Sequence, residues 1–352
     1  MSRILRVGVI GVGTIGREHL KAYQSEKNVE VVAISDINKR VLSLNAEKFG
    51  IKKTFTDYHE LLELSKLDAV SVCTPPFNHA AITCDAASAG KHVLCEKPMA
   101  MNSKEAEIMV RACREADVKL GIGSARLRFT PSIELARRYI SEGKLGKVYY
   151  ARVSRLRRRG RPGIDGLKES KWFLDSSKAG GGALIDIGCY DIDLILYLLN
   201  SPQPTSVSAI TFRGVEEIPK LNVTYDVEEH STALVRFDGN LAVTFETAWA
   251  SNMRSGWKML IFGSRGGLEL DPPTSLTYFT EERDEQVAIN FDLTLKYIPP
   301  MTMLIKDFVS ACLEDREPKT PGEDGLKVMQ AITMAYRSAE LGREVRLEEL
   351  ME

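Results

Sequence analysis

The rhythm of hydrophobic and polar positions changes near residue 125. Before it, short apolar runs at 7–10, 29–35, 69–73, 92–94 and 119–122 alternate with amphipathic stretches at 39–49, 79–88 and 103–116, and a further one opens at Gly16 and runs through Leu20 and Tyr23. Runs apolar throughout are strands buried on both faces. Their alternation with helical patterns predicts right-handed β-α-β units in one doubly wound parallel sheet, α/β in class. After Leu127 the pattern shows a helix over 131–142 and a strand over 147–155. Strand-like runs follow at 206–212, 232–237, 241–248, 258–262 and 267–270, then helices over 302–312 and 324–341. Strands grouped in this way predict an α+β domain on an open-faced, largely antiparallel sheet. The chain thus reads as two domains, 1–125 and 126–352, with no repeat or low-complexity linker between them.

One segment departs from simple amphipathicity. From Gly180 to Leu199 a glycine run opens into an apolar helix, GGGALIDIGCYDIDLILYLL, carrying Asp186, Tyr190 and Asp193 at i, i+4 and i+7. At about 100° per residue the three span an arc of about 60° on one face. Buried carboxylates are costly unless they are paired or working, so the stripe is either an ion-pair network or a site.

Composition narrows the functional classes. The chain has 352 residues, 44% apolar content and a formal net charge of −1, which fits a globular protein and argues against nucleic acid or an anionic membrane as partner. No apolar run approaches the length of a membrane span, and the N-terminus leads straight into a strand without a signal-peptide pattern, so the expected location is cytoplasmic. The six cysteines, Cys73, Cys84, Cys95, Cys113, Cys189 and Cys312, include no C-x-x-C pair. Neither zinc nor disulfides are expected, and most of the thiols should be reduced packing residues.

The glycine loop Gly11-Val12-Gly13-Thr14-Ile15-Gly16 closes the first strand and opens the first helix. Gly11 permits a tight turn, Gly13 lets backbone N–H groups approach a pyrophosphate, and Gly16 allows helix and strand to pack closely. Asp36 ends the second strand, where its carboxylate would accept the adenosine ribose hydroxyls and repel a 2′-phosphate. The reading is NAD; Asn38, Lys39 and Arg40 leave NADP open.

With that loop, Thr74-Pro75-Pro76-Phe77-Asn78-His79, Gly90-Lys91-His92-Val93-Leu94-Cys95-Glu96-Lys97-Pro98 and Gly180-Gly181-Gly182-Ala183-Leu184-Ile185-Asp186-Ile187-Gly188 in order, the chain resembles the glucose–fructose oxidoreductase and inositol dehydrogenase family (Gfo/Idh/MocA). The likeness spans nearly the whole length, including Arg128-Phe129, the turn at 143–146 and the helix at 325–339. It implies a Rossmann domain joined to an open-faced sheet domain that also carries oligomer contacts, as a homodimer or homotetramer. It also implies NAD(P)-dependent oxidation or reduction of a sugar, cyclitol or sugar derivative.

Hydride transfer from a carbinol requires a base near the switch point of the sheet, and Lys97 lies just past the C-terminal end of the fourth predicted strand. By resemblance Lys97 would bind and polarise the reacting hydroxyl, and Glu96 would touch the nicotinamide ribose. Thr74, Pro75 and His79 would line the nicotinamide half of the cofactor site. Many members carry His four residues after the helix Asp, whereas this chain has Tyr190. Sugar oxidoreductases of the family, xylose dehydrogenase and dihydrodiol dehydrogenase also carry Tyr there. A phenol starts near a pKa of about 10, so a neighbouring cation such as Lys97 is needed to bring it towards working pH. Asp186 would orient the substrate and hold Lys97 protonated, and Asp193 would bind a further substrate hydroxyl.

The segment Arg155-Leu156-Arg157-Arg158-Arg159-Gly160-Arg161-Pro162 leads towards Trp172. Trp172 could stack on a pyranose face, with an arginine on a hydroxyl, carboxylate or phosphate. Most of these arginines are expected on a solvated edge or an oligomer contact. Glu229, His230, Trp249 and Trp257 rank second as site candidates. Two competing functions remain: a glycosidase that oxidises its sugar transiently with tightly held NAD, of which the segment 157–161 is loosely reminiscent, and a non-catalytic nucleotide and sugar sensor, against which Lys97 and Asp186 count.

Overall fold

In a computed structural model, described for residues 3–215, 222–294 and 298–350, the chain forms two compact units. The first takes Met1–Arg126 and Ile298–Leu326, the second Leu127–Tyr297 and Lys327–Glu352.

The first unit begins β1 (Leu5–Ile10), α1 (Thr14–Gln24), β2 (Val29–Ser35), α2 (Lys39–Phe49), β3 (Lys53–Phe55), α3 (Tyr58–Leu62) and β4 (Ala69–Val72). It continues α4 (His79–Ser88), β5 (His92–Cys95), α5 (Ser103–Glu115) and β6 (Leu120–Ile122). All six strands are parallel, in the order β3-β2-β1-β4-β5-β6. The order reverses between β1 and β4, so the ends of those two strands form the switch point at which such sheets bind ligands.

The second unit contains α6 (Pro131–Ser141), β7 (Val148–Leu156), α7 (Ser176–Ala179), α8 (Cys189–Leu198), β8 (Pro204–Phe212), β9 (His230–Phe237) and β10 (Leu241–Ala248). Then come β11 (Gly256–Gly263), β12 (Gly267–Asp271), β13 (Ser275–Glu282) and β14 (Glu285–Asp292). These, with β15 (Val345–Arg346) after the last helix, build a nine-stranded sheet in the order β14-β13-β12-β11-β7-β10-β9-β8-β15. Only β7 and β10 pair in parallel. The α/β plus α+β reading holds. The sequence pattern missed the β13–β14 hairpin because its two-residue turn, Arg283-Asp284, lacks the Asn-Gly or Gly signal of such turns yet adopts their left-handed backbone, φ 54° and 65°.

The division at residue 125 needs one correction. Helix α9 (Pro300–Glu314) and the start of α10 (Gly322–Leu341) fall in the first unit. The cause is a buried apolar face, Leu304, Ile305, Phe308 and Val309, with Phe308 against Gly121 of β6 and the Ile122 N–H donating to the Thr320 carbonyl at 2.9 Å.

Five cysteines are buried, Cys84 is half-buried, and none is disulfide-bonded. Among the described residues no helix is long and apolar enough to cross a membrane.

Candidate active site

In the first unit the glycine loop sits at the switch point. Gly11 has φ +84°, and a Cβ there would lie 2.8 Å from the Cys73 carbonyl carbon and oxygen at the end of β4, so only glycine fits. Gly16 is constrained by packing, since a Cβ would meet the Gly11 carbonyl. Gly13 caps α1 without any side-chain hydrogen bond, and nothing lies within 4 Å of where its Cβ would be. Thr14 and Ile15 follow as the first residues of α1, so the first N–H groups of an eleven-residue helix are offered to an anion. Asp36 stands at the end of β2 with Oδ2 accepting the Val12 N–H at 2.9 Å and Oδ1 accepting the Asn38 N–H at 2.8 Å. Each oxygen keeps a lone pair for a ribose hydroxyl. The Thr74 hydroxyl, followed by Pro75, is buried without a hydrogen-bond partner at the same switch point. This cradle fits a dinucleotide.

Two residues expected at the cofactor, Glu96 and His79, are held by partners within the first unit. Glu96 is 3% exposed. It takes the His19 Nε2 at 3.0 Å, the Arg126 Nη1 at 2.9 Å and the Lys97 N–H at 3.0 Å. Burial alone would raise its pKa, but Arg126 and His19 hold it well below the usual carboxylate range. His19 Nδ1 meets the Ser71 hydroxyl at 3.1 Å, and Tyr23 meets the same hydroxyl at 2.8 Å. With Nε2–H donated to Glu96, Nδ1 can take the Ser71 hydroxyl and the Tyr23 hydroxyl can donate to Ser71, so the whole chain is satisfied. Glu96 therefore anchors the strand end that carries Lys97 and is not presented to a ribose. His79 is fully buried, with Nδ1 2.9 Å from the Pro98 carbonyl and Nε2 2.8 Å from the Thr74 carbonyl. Burial lowers its pKa, against the two carbonyls that favour the charged ring. It clamps the segments on either side of Lys97 and does not line a ligand surface. The partner of Glu96 is not visible in sequence, since His19 lies 77 residues from it.

In the second unit the glycine run has a close neighbour. A Cβ on Gly182 would run into the Glu228 carbonyl oxygen, and one on Gly181 into the Tyr336 hydroxyl. Glu228 accepts the N–H groups of Gly182 and Leu184, both at 2.8 Å, and the Tyr336 hydroxyl at 3.0 Å. It thereby caps the helix start. Residues Leu184–Gly188 then wind as a π-helical turn before α8, a departure from α geometry that often marks functional sites.

That turn and the partners of the three polar residues split the predicted stripe. Asp186 and Tyr190 are each 6% exposed. Asp186 Oδ2 accepts the indole N–H of the fully buried Trp249 at 2.9 Å. The Arg155 guanidinium lies 5.6 Å from the Tyr190 ring centre and 4.0 Å from that of Trp257, giving the phenol a cation that the sequence reading did not assign. Asp193 is 1% exposed and held by Arg128 through two hydrogen bonds, 2.8 and 2.7 Å. It is a structural ion pair, not the substrate ligand expected. Trp172 is half-buried and stacks on Phe173 at 3.8 Å, and Phe173 meets Trp249 edge-on.

Within the arginine segment Arg158 and Arg159 are exposed, Arg155 and Arg157 half-buried and Arg161 buried. Arg161 is 4% exposed and binds Asp165 at 2.8 Å and Glu229 at 3.1 Å, which raises its pKa. Arg159 donates to the carbonyls of Arg158 and Ser251. Glu229 also accepts the Tyr225 hydroxyl and two backbone N–H groups, so it too is structural. His230 lies 3.5 Å from Glu246. Among the described residues no group of three or more His, Cys, Asp or Glu side chains could hold a metal ion.

A dinucleotide cradle at a doubly wound switch point, with an Asp and Tyr pair on a glycine-capped helix, defines an NAD-binding oxidoreductase. Residues 5–124 match the model of the oxidoreductase family with an NAD-binding Rossmann fold, and residues 133–269 match the C-terminal domain of the same family. The chain belongs to the Gfo/Idh/MocA family. It is 27% identical to a myo-inositol 2-dehydrogenase of Thermotoga maritima, over 99% of this chain and all of that one. It is 28% identical to a D-glucoside 3-dehydrogenase of Escherichia coli, over 97% of each. Among solved structures, an oxidoreductase domain protein from Kribbella flavida superposes with a TM-score of 0.87 at 27% identity, covering 99% of this chain and all of that one.

Proposed function

We propose that the protein interconverts a hydroxyl and a keto group on a sugar, cyclitol or sugar derivative, with NAD as the hydride partner. When bound, NAD supplies the hydride acceptor. Lys97 polarises the reacting hydroxyl, Tyr190 takes its proton, and Asp186, fixed by Trp249, orients the carbinol. Gly11, Gly13, Thr14, Ile15 and Gly16 hold the pyrophosphate, Asp36 the adenosine ribose, and Thr74 and Pro75 face the nicotinamide half. The observation that carries the reading is the dinucleotide cradle in a chain whose full-length relatives are sugar and cyclitol dehydrogenases.

The test is steady-state kinetics on a panel of sugars and inositols. Lys97→Ala should lower kcat by roughly 10² or more while NAD affinity changes little, and Tyr190→Phe should lower it by roughly 10² with unchanged melting. Tyr190→His should regain part of the activity and move the rising limb of the pH profile lower, since imidazole titrates near ~6.5 and phenol near ~10. Near-normal turnover in Lys97→Ala and Tyr190→Phe would refute the assignment.

We further propose a homodimer or homotetramer formed through the nine-stranded sheet. The support is its outer face, where Ile210, Phe212, Phe262 and Phe279 are exposed, all on the side opposite Thr247 by register. Sedimentation of Phe212→Glu decides it, and an unchanged oligomer would argue against this face. A cytoplasmic location is supported by six cysteines that form no disulfide among the described residues.

A further inference from the structure

Asp186 is tied to one dipeptide, Glu228-Glu229, by two separate routes within the second unit. The first runs through the backbone. The Asp186 N–H donates to the Gly182 carbonyl at 3.0 Å, and the Gly182 N–H donates to the Glu228 carboxylate at 2.8 Å. That carboxylate also takes the Leu184 N–H, and the Glu228 carbonyl accepts the Ala183 N–H at 3.1 Å. Three consecutive N–H groups of the helix start therefore end on a single residue. The second route runs through the side chain. Trp249, whose indole N–H holds the Asp186 carboxylate, donates its backbone N–H to the Glu229 carbonyl at 2.8 Å.

The dipeptide is itself fixed at both residues. Glu229 is fully buried and bound by Arg161 and the Tyr225 hydroxyl. Glu228 is buried and accepts the Tyr336 hydroxyl of α10 at 3.0 Å. Burial raises the Glu228 pKa, and the N–H groups of Leu184 and Gly182 and the Tyr336 hydroxyl act against the rise.

A helix start does not require so much. Its first N–H groups are ordinarily satisfied by an adjacent Ser, Thr, Asp or Asn, or by water. Here the capping carboxylate comes from 44 and 46 residues away. It seats only because residues 181 and 182 are glycines, where a Cβ would run into Tyr336 and Glu228. A buried carboxylate held by neutral donors is costly. What it secures is the backbone directly before the π-helical turn Leu184–Gly188, the turn that carries Asp186.

We propose that Glu228 and Tyr336 are positioning residues for the reaction, which fix the backbone that aims Asp186 at the carbinol and do not themselves touch substrate. The inference rests on the function proposed above and extends its machinery to a hydroxyl on the last long helix. The expected sensitivity is large, because a misplacement of about 1 Å in a group that orients substrate can slow a reaction by about 10².

The experiment follows NADH formation in a single turnover by the NAD-loaded protein, with the best substrate of the sugar and inositol panel at saturation. It compares the wild type, Tyr336→Phe and Glu228→Gln, and then the same two changes placed on Asp186→Ala. Tyr336→Phe keeps the ring and deletes one donor. Glu228→Gln keeps the volume but turns an amide NH2 towards one of the two backbone N–H groups. Tyr336→Phe should slow NADH formation about tenfold, and Glu228→Gln at least as much, with a smaller change in KM and little change in the melting temperature of Tyr336→Phe. On Asp186→Ala neither change should slow the reaction by more than about twofold, because the group they aim is gone. Tyr336→Phe carries the test should Glu228→Gln not fold. Equal slowing in both backgrounds overturns the inference, with or without a lower melting temperature, as does an unaltered rate in Tyr336→Phe or the loss of its fold. A wild type that forms NADH from no member of the panel refutes the function proposed above, and this inference with it.

Discussion

Arg128 clasps Asp193 with two parallel hydrogen bonds, and both side chains are at most 2% exposed. Removing one member of such a pair strands the other charge in the interior. Asp193→Ala is expected to destabilise the protein by about 3–5 kcal/mol, read as a shift of the urea midpoint. If instead stability holds and only KM rises, Asp193 binds substrate after all.

Trp249 positions Asp186 by a single indole hydrogen bond of 2.9 Å. Trp249→Phe keeps most of the packing against Ala183, Ile187 and Phe173 but deletes the donor. A loss of about tenfold in kcat/KM is expected with a modest fall in melting temperature, in line with about 1.5 kcal/mol for a hydrogen bond to a charged group. Unaltered kinetics would show that Asp186 needs no such support.

Cofactor choice is assigned to Asp36, whose carboxylate is aimed by two backbone N–H groups. NAD should bind several-fold more tightly than NADP, and Asp36→Ala should narrow the gap by removing both the ribose hydrogen bonds and the repulsion of a 2′-phosphate. Titration of both cofactors against both proteins measures this, and equal affinities in the wild type contradict the assignment.

Asp191 gives the stability curve a particular sign. Burial pushes its pKa up to about 6, and Arg155 only partly offsets that. Between about pH 4 and pH 6 the folded protein therefore holds a proton that the unfolded chain has lost, so this residue's contribution falls as pH rises through that window. Asp191→Asn should then melt higher than the wild type at pH 7.5, with the advantage shrinking as pH drops towards 4. A variant that melts lower at pH 7.5 would mean that the ion pair with Arg155 outweighs the burial.

Local patterning made the parallel sheet, most of the second sheet and the glycine cradle legible, because strand runs and turn glycines are short-range signals. The fates of Glu96 and Asp193 were not legible. Each is decided by a partner supplied from elsewhere in the chain, 65 residues away for Arg128 and Asp193, and a carboxylate on an apolar helix looks the same in sequence whether it meets a ligand or a guanidinium.

The return of residues 298–326 to the first unit bears on how such a chain can be inherited in pieces. A segment ending at Arg126 would possess all six parallel strands yet lack α9, the Thr320 carbonyl that receives the Ile122 N–H, and the aromatic ring that packs on Gly121. It would leave an apolar flank open to water and should not be soluble alone. Recombination that swaps the nucleotide-binding half between relatives must therefore cross over three times, near residues 126 and 298 and again before 327, and single-crossover chimaeras at the first junction would inherit a mismatched helix against a foreign sheet.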